Sequence, residues 1–161
     1  MLWIGIDNGV SGSIGVVSDK GESWWFLTPT KSEQSYTKSK QNITRIDINR
    51  LYEILSEFKE GKVFLERPLV NPKMFKATIS AIRALEATLN VVELLKMPLE
   101  YVDSKEWQKD LLPHGVKGSP LLKKASKDIG IRLFPAFEKE ITKHGDADGI
   151  LIAEHFKRMN R

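Results

Sequence analysis

The sequence predicts a mixed α/β fold, a five-stranded sheet flanked by helices. Three observations carry this reading. Residues 2–28 hold three short apolar or aromatic runs separated by glycine-containing breaks, two further apolar runs follow at 62–66 and 99–103, and the segments before each of these step by three or four in helical fashion. A hairpin-rich start followed by strands joined through helices belongs to the mixed class rather than to an all-helical or all-β one.

The elements follow in order. LWIGID (2–7), SIGVVS (13–18) and SWWFLT (23–28) read as a β-meander. Residues 29–46, dominated by Thr, Ser, Lys and Gln with no period, read as a long loop. A helix over about 47–59 puts Ile48, Leu51, Leu55 and Phe58 on one face, and KVFLE (62–66) is a buried strand. The spacing then predicts a long helix from about 73 to 97, striped by Ile79, Ile82, Leu85, Leu89, Val92 and Leu95 and stopped by Pro98. LEYVD (99–103) is the last strand, and helices are expected at about 104–111, 119–129 and 146–158.

With 161 residues, 41% of them hydrophobic, the chain can bury one ordinary core, so a single domain over 1–161 is expected. No run approaches the roughly 20 uncharged apolar residues of a membrane span, and MLWIGIDNG lacks the basic and apolar regions of a signal peptide. The expectation is a cytoplasmic protein without a membrane partner. The absence of cysteine excludes disulfides, thiolate zinc sites and thiol nucleophiles, which leaves oxygen or imidazole ligands for any metal.

The net charge of +4 is concentrated. Residues 104–132 carry seven cations (Lys105, Lys109, Lys117, Lys123, Lys124, Lys127, Arg132) against three acids, which equals the surplus of the whole chain. Such clustering suits a phosphate backbone, although a lysine-rich helix face is also what plain solvation produces.

Three carboxylates stand where regular elements hold them: Asp7 at the end of the first strand, Glu66 at the end of the fourth and Asp148 near the start of the last helix. A carboxylate beside buried elements is costly unless it is paired or binds a cation, so the set points to a metal site more strongly than any one member does.

GIDNGVSGSIGVV (5–17), VFLERP (63–68) and HGDADGILIAEH (144–155) resemble the three acidic motifs of RuvC-type Holliday junction resolvases, particularly the phage-encoded forms. WQKDLLPHGVKGSPLLKKAS (107–126) resembles the basic stretch that phage members place before the last acidic helix. The resemblance implies an RNase H-like fold in which Asp7, Glu66 and Asp148 converge on two divalent cations, with Asp7 bridging both. Mg²⁺ is implied, with Mn²⁺ able to substitute, because oxygen ligands favour these ions over zinc. Many relatives carry an acid or a histidine three residues before the last aspartate, where this chain has Gly145 flanked by His144 and Asp146. A helix running through 144 would put His144 and Asp148 on one face, whereas a helix starting at 146 would make Asp146 an N-cap and bring His144 from a loop. Of the two, His144 is the preferred fourth participant, as a ligand or a group assisting the attacking water. His114 and His155 read as exposed or partly exposed histidines without function.

The resemblance also assigns DNA contacts. Leu69 holds the spacing at which relatives carry a side chain that wedges into the junction, with Phe75 further on, although packing of Leu69 on the following helix is the favoured reading. Arg67, Lys73 and Lys76, with Arg83, would line the backbone track, and Lys105, Lys117, Lys123 and Lys124 would reach phosphates near the metals. The implied activity is a structure-selective endonuclease acting on branched DNA, working as a homodimer. The dimer would use the 73–97 helix, where Ala77, Ala81, Ala84 and Ala87 permit close approach. Competing readings are another RNase H-like nuclease, such as a pre-ribosomal-RNA processing enzyme, and a branched-DNA-binding module without catalysis. An actin-like or sugar-kinase ATPase would share the DNG turn, but it needs two such domains and this chain has no second phosphate turn.

Overall fold

The structure is a computed structural model that describes residues 1–160. In chain order the elements are β1 (Leu2–Ile6), β2 (Ser13–Ser18), β3 (Ser23–Leu27), β4 (Thr30–Gln34), β5 (Asn42–Ile46), α1 (Ile48–Ser56), β6 (Lys62–Glu66), α2 (Phe75–Leu94), β7 (Leu99–Val102), α3 (Ser104–Leu111), α4 (Ser119–Leu133), α5 (Glu138–His144) and α6 (Asp148–Met159). Short 3₁₀ turns at Pro72–Met74 and Pro135–Phe137 lead into α2 and α5. The main sheet has five strands in the order β3-β2-β1-β6-β7. The meander β1–β2–β3 is antiparallel, and β6 and β7 continue it in parallel from β1. The mixed five-stranded sheet flanked by helices is therefore as expected.

Strand alternation divides the core in two. Trp3, Val17, Phe64 and Val102 face Trp107 of α3 and Ile150, Leu151 and Ala153 of α6. Ile4, Ile6, Ile14, Val16, Val63 and Leu65 face the other way, against Leu51 and Leu55 of α1 and Ala84, Val91 and Val92 of α2. Helix α6 is buried from Gly149 to Lys157 because it is covered on both sides, by the sheet and by α3 and α4.

Several expectations are corrected. Residues 29–46 are not a loop: Thr30–Gln34 and Asn42–Ile46 pair as an antiparallel hairpin, with Lys31 opposite Arg45 and Glu33 opposite Ile43. Only Ile46 of these strands is buried, so the alternation that marks a strand has no apolar partner residues to reveal it. Glu33 takes both cations of its neighbourhood, Lys31 at 2.5 Å and Arg45 at 2.6 Å. Helix α1 begins after the N-cap Asp47, whose side chain accepts from the Arg50 amide at 3.1 Å, and it ends before Phe58. Ile48 is exposed, and the buried face is Leu51, Ile54 and Leu55.

Helix α2 turns a different face inward from the one its sequence suggests. Ala84, Thr88, Val91 and Val92 are buried, while Ile82 is exposed and Leu85 and Leu89 are half-buried. Its neighbours are α1 and β5, and a helix that packs closely on another element does so through small residues. The seven-residue α5 was not expected, being too short to show a period.

Helix α6 sits close to the sheet because glycines line the contact. A methyl group on Gly15 would fall 2.1 Å from the Ile150 Cα, and one on Gly149 would fall 2.5 Å from the Ser13 carbonyl oxygen. The Ser13 hydroxyl accepts from the Gly149 amide at 3.1 Å, which satisfies one of the open donors of the helix N-terminus. Gly149→Ala is therefore expected to destabilise the fold by about 1–3 kcal/mol, as overpacking does, and to move Asp148 off its place. Urea unfolding with an unchanged slope and a lowered midpoint would register this, whereas an unmoved midpoint would mean that α6 steps back freely.

Candidate functional site

Asp7 and Glu66 meet because their strands are neighbours. The parallel register of β1 with β6 runs through Ile6↔Leu65, so one residue further Asp7 and Glu66 leave the sheet side by side. By alternation Asp7 shares its face with Trp3 and Gly5, and Glu66 shares its face with Phe64, which is the face covered by α6. Asp148 is the first residue of that helix and reaches the same spot from above. Asp146 arrives from the break between α5 and α6, where Gly145, with φ of +104°, reverses the chain at the end of α5.

Ligand oxygens of Asp7, Asp146 and Asp148 lie within 4.8 Å of one another, close enough to share a cation. Glu66 lies beside this triad rather than within it. Its Oε1 accepts from the Trp107 indole Nε1 at 3.0 Å. The Ser126 hydroxyl donates to Asp148 Oδ1 while accepting from the Ala147 amide, so α4 also holds the start of α6.

The electrostatics follow from crowding. Burial, reinforced by the charges of Asp148, Glu66 and Asp146, pushes the Asp7 carboxyl well above the usual carboxylate range. Burial and the charge of Asp146 raise Asp148 to about 7, against opposing pulls from the Ser126 hydrogen bond and Lys123. Four acids packed this way repel one another, and a divalent cation relieves that repulsion better than a proton does. The oxygen donor set fits Mg²⁺ or Mn²⁺.

The alternatives left open for His144 and Asp146 both fail in their helical premise. Helix α5 ends at His144 and α6 starts at Asp148, so the two residues share no helix face, and the N-cap of α6 is Ala147 rather than Asp146. Asp146 is buried, with its Oδ1 accepting from the Asp148 amide at 3.4 Å. His144 stands behind it, Nε2 at 3.3 Å from Asp146 Oδ1 but out of line for a hydrogen bond, with its ring edge-on to Trp25. In this arrangement Asp146 faces the other acids and His144 reaches them only through Asp146.

The expected cations are scattered. Lys123 lies 4.0 Å from Asp146 Oδ2 and lines the same cleft of about 350 Å³ as Asp7 and Asp148. Lys117 and Lys124 are exposed outside it. Lys105 lies in a separate cleft of about 280 Å³ with Lys109, His114 and Val116. Arg67 pairs with Asp103 at 3.0 Å and lies over the Tyr101 ring, while Lys73 and Lys76 are exposed at the entry to α2. Leu69 does not pack on the following helix. It is 79% exposed, and Val70, Met74 and Phe75 beside it are exposed too. The His155 reading is overturned: the residue is buried, and its Nδ1 lies 2.8 Å from Asp110 Oδ2, tying α6 to α3. Ala84 is buried in the core, and Ala77 and Ala81 line the acidic cleft, so the alanines of α2 do not form the free face expected of them.

Trp107, Ser126 and Ser13 were not singled out from sequence. Trp107 and Ser126 lie within a stretch whose lysines dominate the reading, and a donor aimed at a residue 41 or 22 positions away leaves no local pattern.

The fold is similar to that of solved structures. A Thermus thermophilus RuvC in complex with a Holliday junction substrate superposes with a TM-score of 0.59 at 17% identity, covering 99% of this chain and 96% of that one. A second Thermus thermophilus RuvC structure gives 0.54 at 16% identity, covering 99% of this chain and 97% of that one. The fold is RNase H-like. No protein-family model and no curated protein sequence matches the chain. Within the RNase H-like frame, the acids occupy the end of the central strand β1, its parallel neighbour β6 and the start of α6. Among the described residues, no helix is long and apolar enough to cross a membrane.

Proposed function

We propose that this protein is a structure-selective endonuclease that hydrolyses phosphodiester bonds in branched DNA, with two divalent cations held by Asp7, Glu66, Asp146 and Asp148. The observation that carries the reading is the convergence of Asp7, Asp146 and Asp148, with Glu66 beside them, at one end of an RNase H-like sheet, where burial and then the neighbouring acids hold Asp7 and Asp148 above the usual carboxylate range. Bound there, Mg²⁺ or Mn²⁺ would supply an activated water and charge stabilisation for the leaving 3′-oxygen. Asp7, between Glu66 at the end of β6 and Asp148 at the start of α6, would be the central ligand of the set. Asp146 adds the carboxylate that Gly145 lacks, and His144 stands behind it.

Lys123 at the rim offers a positive charge to the scissile phosphate, whose charge grows in the transition state. Lys73, Lys76, Lys117 and Lys124 are free to meet phosphates further out, whereas the Arg67 guanidinium is already engaged by Asp103. The exposed run Leu69, Val70, Met74 and Phe75 stands beside the cleft of Glu66, where an apolar wedge could unstack bases at a branch point. Paired cuts across a four-way junction need two sites related by a two-fold axis, so the working form is a homodimer. Its interface uses the outer face of α2, where Ile82 and Leu94 are exposed, rather than the buried Ala84.

The test is cleavage of labelled four-way, forked and linear duplexes with Mg²⁺, with cuts mapped and the mass of the junction complex measured by light scattering. Cuts near the branch point and a mass of two chains are expected. Equal cutting of linear duplex would remove the structure selectivity. A single chain on the junction would remove the paired-cut model and leave a one-site fork nuclease.

A further inference from the structure

The carboxylate that stands apart from the tight triad is held by a group of unusual chemistry. Glu66 accepts from an indole, and an indole nitrogen is a donor only, with neither an acceptor lone pair nor a charge to trade. We propose that Trp107 is a positioning residue for Glu66, fixing one carboxylate oxygen so that the other is presented to a divalent cation. The proposal rests on reading the acidic cleft as a cation site, and it stands or falls without reference to which DNA is cut.

Three observations support more than a packing role. Trp107 is fully buried, within the core cluster that contains Phe64, Val102 and Leu111, so its ring has little freedom and its N–H direction is set by the fold. Helix α3 is itself anchored to the end of β6. Asp103 closes a capping box with Glu106 at its start and pairs with Arg67, the residue after Glu66, at 3.0 Å, while the Arg67 amide donates to Val102 O at 2.9 Å. The donor and the acceptor are therefore carried by elements tied to each other beside the bond.

A neutral donor also suits this position electrostatically. Asp7 and Asp148 already suffer from crowded negative charge. A lysine or arginine at 107 would cancel part of the charge that attracts the cation, whereas an indole orients Glu66 and leaves that charge in place. Ser126 does the same for Asp148 through a hydroxyl.

Mn²⁺ affinity, read by electron paramagnetic resonance of the free ion, tests the assignment directly. Replacing the Trp107 indole by benzothiophene through site-specific incorporation keeps the ring shape and removes the N–H. Mn²⁺ affinity is expected to fall about ten-fold or more, as it does when a ligand loses its supporting hydrogen bond. In a Glu66→Gln background the same replacement is expected to cause no further loss, because its effect passes through the carboxylate. Trp107→Phe should repeat the pattern wherever it folds. Unchanged affinity, an equal loss in both backgrounds, or no Mn²⁺ binding by the unmodified chain would each overturn the assignment. If Mn²⁺ binds with this dependence and branched DNA stays intact, the positioning role stands and the nuclease reading fails.

Discussion

Asp148→Asn is expected to reduce cleavage of branched DNA at least about 10³-fold, because loss of a cation ligand removes several kcal/mol of transition-state stabilisation. Binding of the junction by gel shift in the absence of cations should survive, since the lysines proposed to meet phosphates are not members of the acid cluster. Asp7→Asn should behave the same way. Both substitutions should at the same time raise the thermal stability of the cation-free protein, because each replaces a carboxylate whose ionised form burial and neighbouring acids oppose. This combination of lost activity and gained stability separates a catalytic site from a structural one. Cleavage at the normal rate by Asp148→Asn would remove the cleft as the catalytic centre. Lost activity with lost stability would mean that Asp148 serves the fold.

The second large effect is on stability against pH. In the folded chain Asp148 holds its proton to about pH 7, whereas in the unfolded chain it releases it near the ordinary value of 3.8. The folded state then binds more protons across that window, so the contribution to stability is full below about pH 4 and is lost as the pH rises to 7. Asp7, shifted in the same direction, adds to the loss. The amount for Asp148 is on the order of 4 kcal/mol by linkage, or roughly 8–16 °C in Tm for a chain of this size.

Asp19 and Glu33 lean the other way. The first is lowered by its hydrogen bond from the N-terminal ammonium and the second by Lys31 and then Arg45, but both are solvent-exposed and act only below the ordinary carboxylate range. The expected result in EDTA is therefore a Tm that falls between pH 5 and 8. Added Mg²⁺ or Mn²⁺ should restore it most at pH 8, where the cation no longer competes with protons. Calorimetry across this range on the parent and on Asp148→Asn checks the origin, since the variant should lose much of the slope. A Tm that rises with pH in EDTA would show that the acids are not in conflict.

The parts of the fold legible in the sequence were those with an apolar period. Strands β1, β2, β3, β6 and β7 and helix α3 lie within a residue of their expected bounds, since their burial on one or both faces is written in the residues themselves. The β4–β5 hairpin escaped because β4 holds no apolar residue and β5 only Ile43 and Ile46, too few for a period, and the hairpin draws its order from backbone pairing and the Glu33 ion pairs. The inner face of α2 was misread for a related reason. Its apolar stripe is wider than the surface available to it, and the tightest contact went to the small Ala84 and Thr88 rather than to the larger Ile82.

By itself the sequence determined a mixed α/β chain without thiol chemistry, with acids at the ends of two strands and at a helix start and with its cationic surplus in one segment. Those properties depend on residue type and local period alone. Only the tertiary structure decided that Asp146 faces Asp7 and Asp148 while His144 stands behind it, that His155 is buried against Asp110, and that Trp107 and Ser126 hold the carboxylates. These depend on the glycine-lined approach of α6 to the sheet and on where α5 stops, at Gly145. Bonds between residues tens of positions apart are set by packing distance, and a linear pattern carries no record of it.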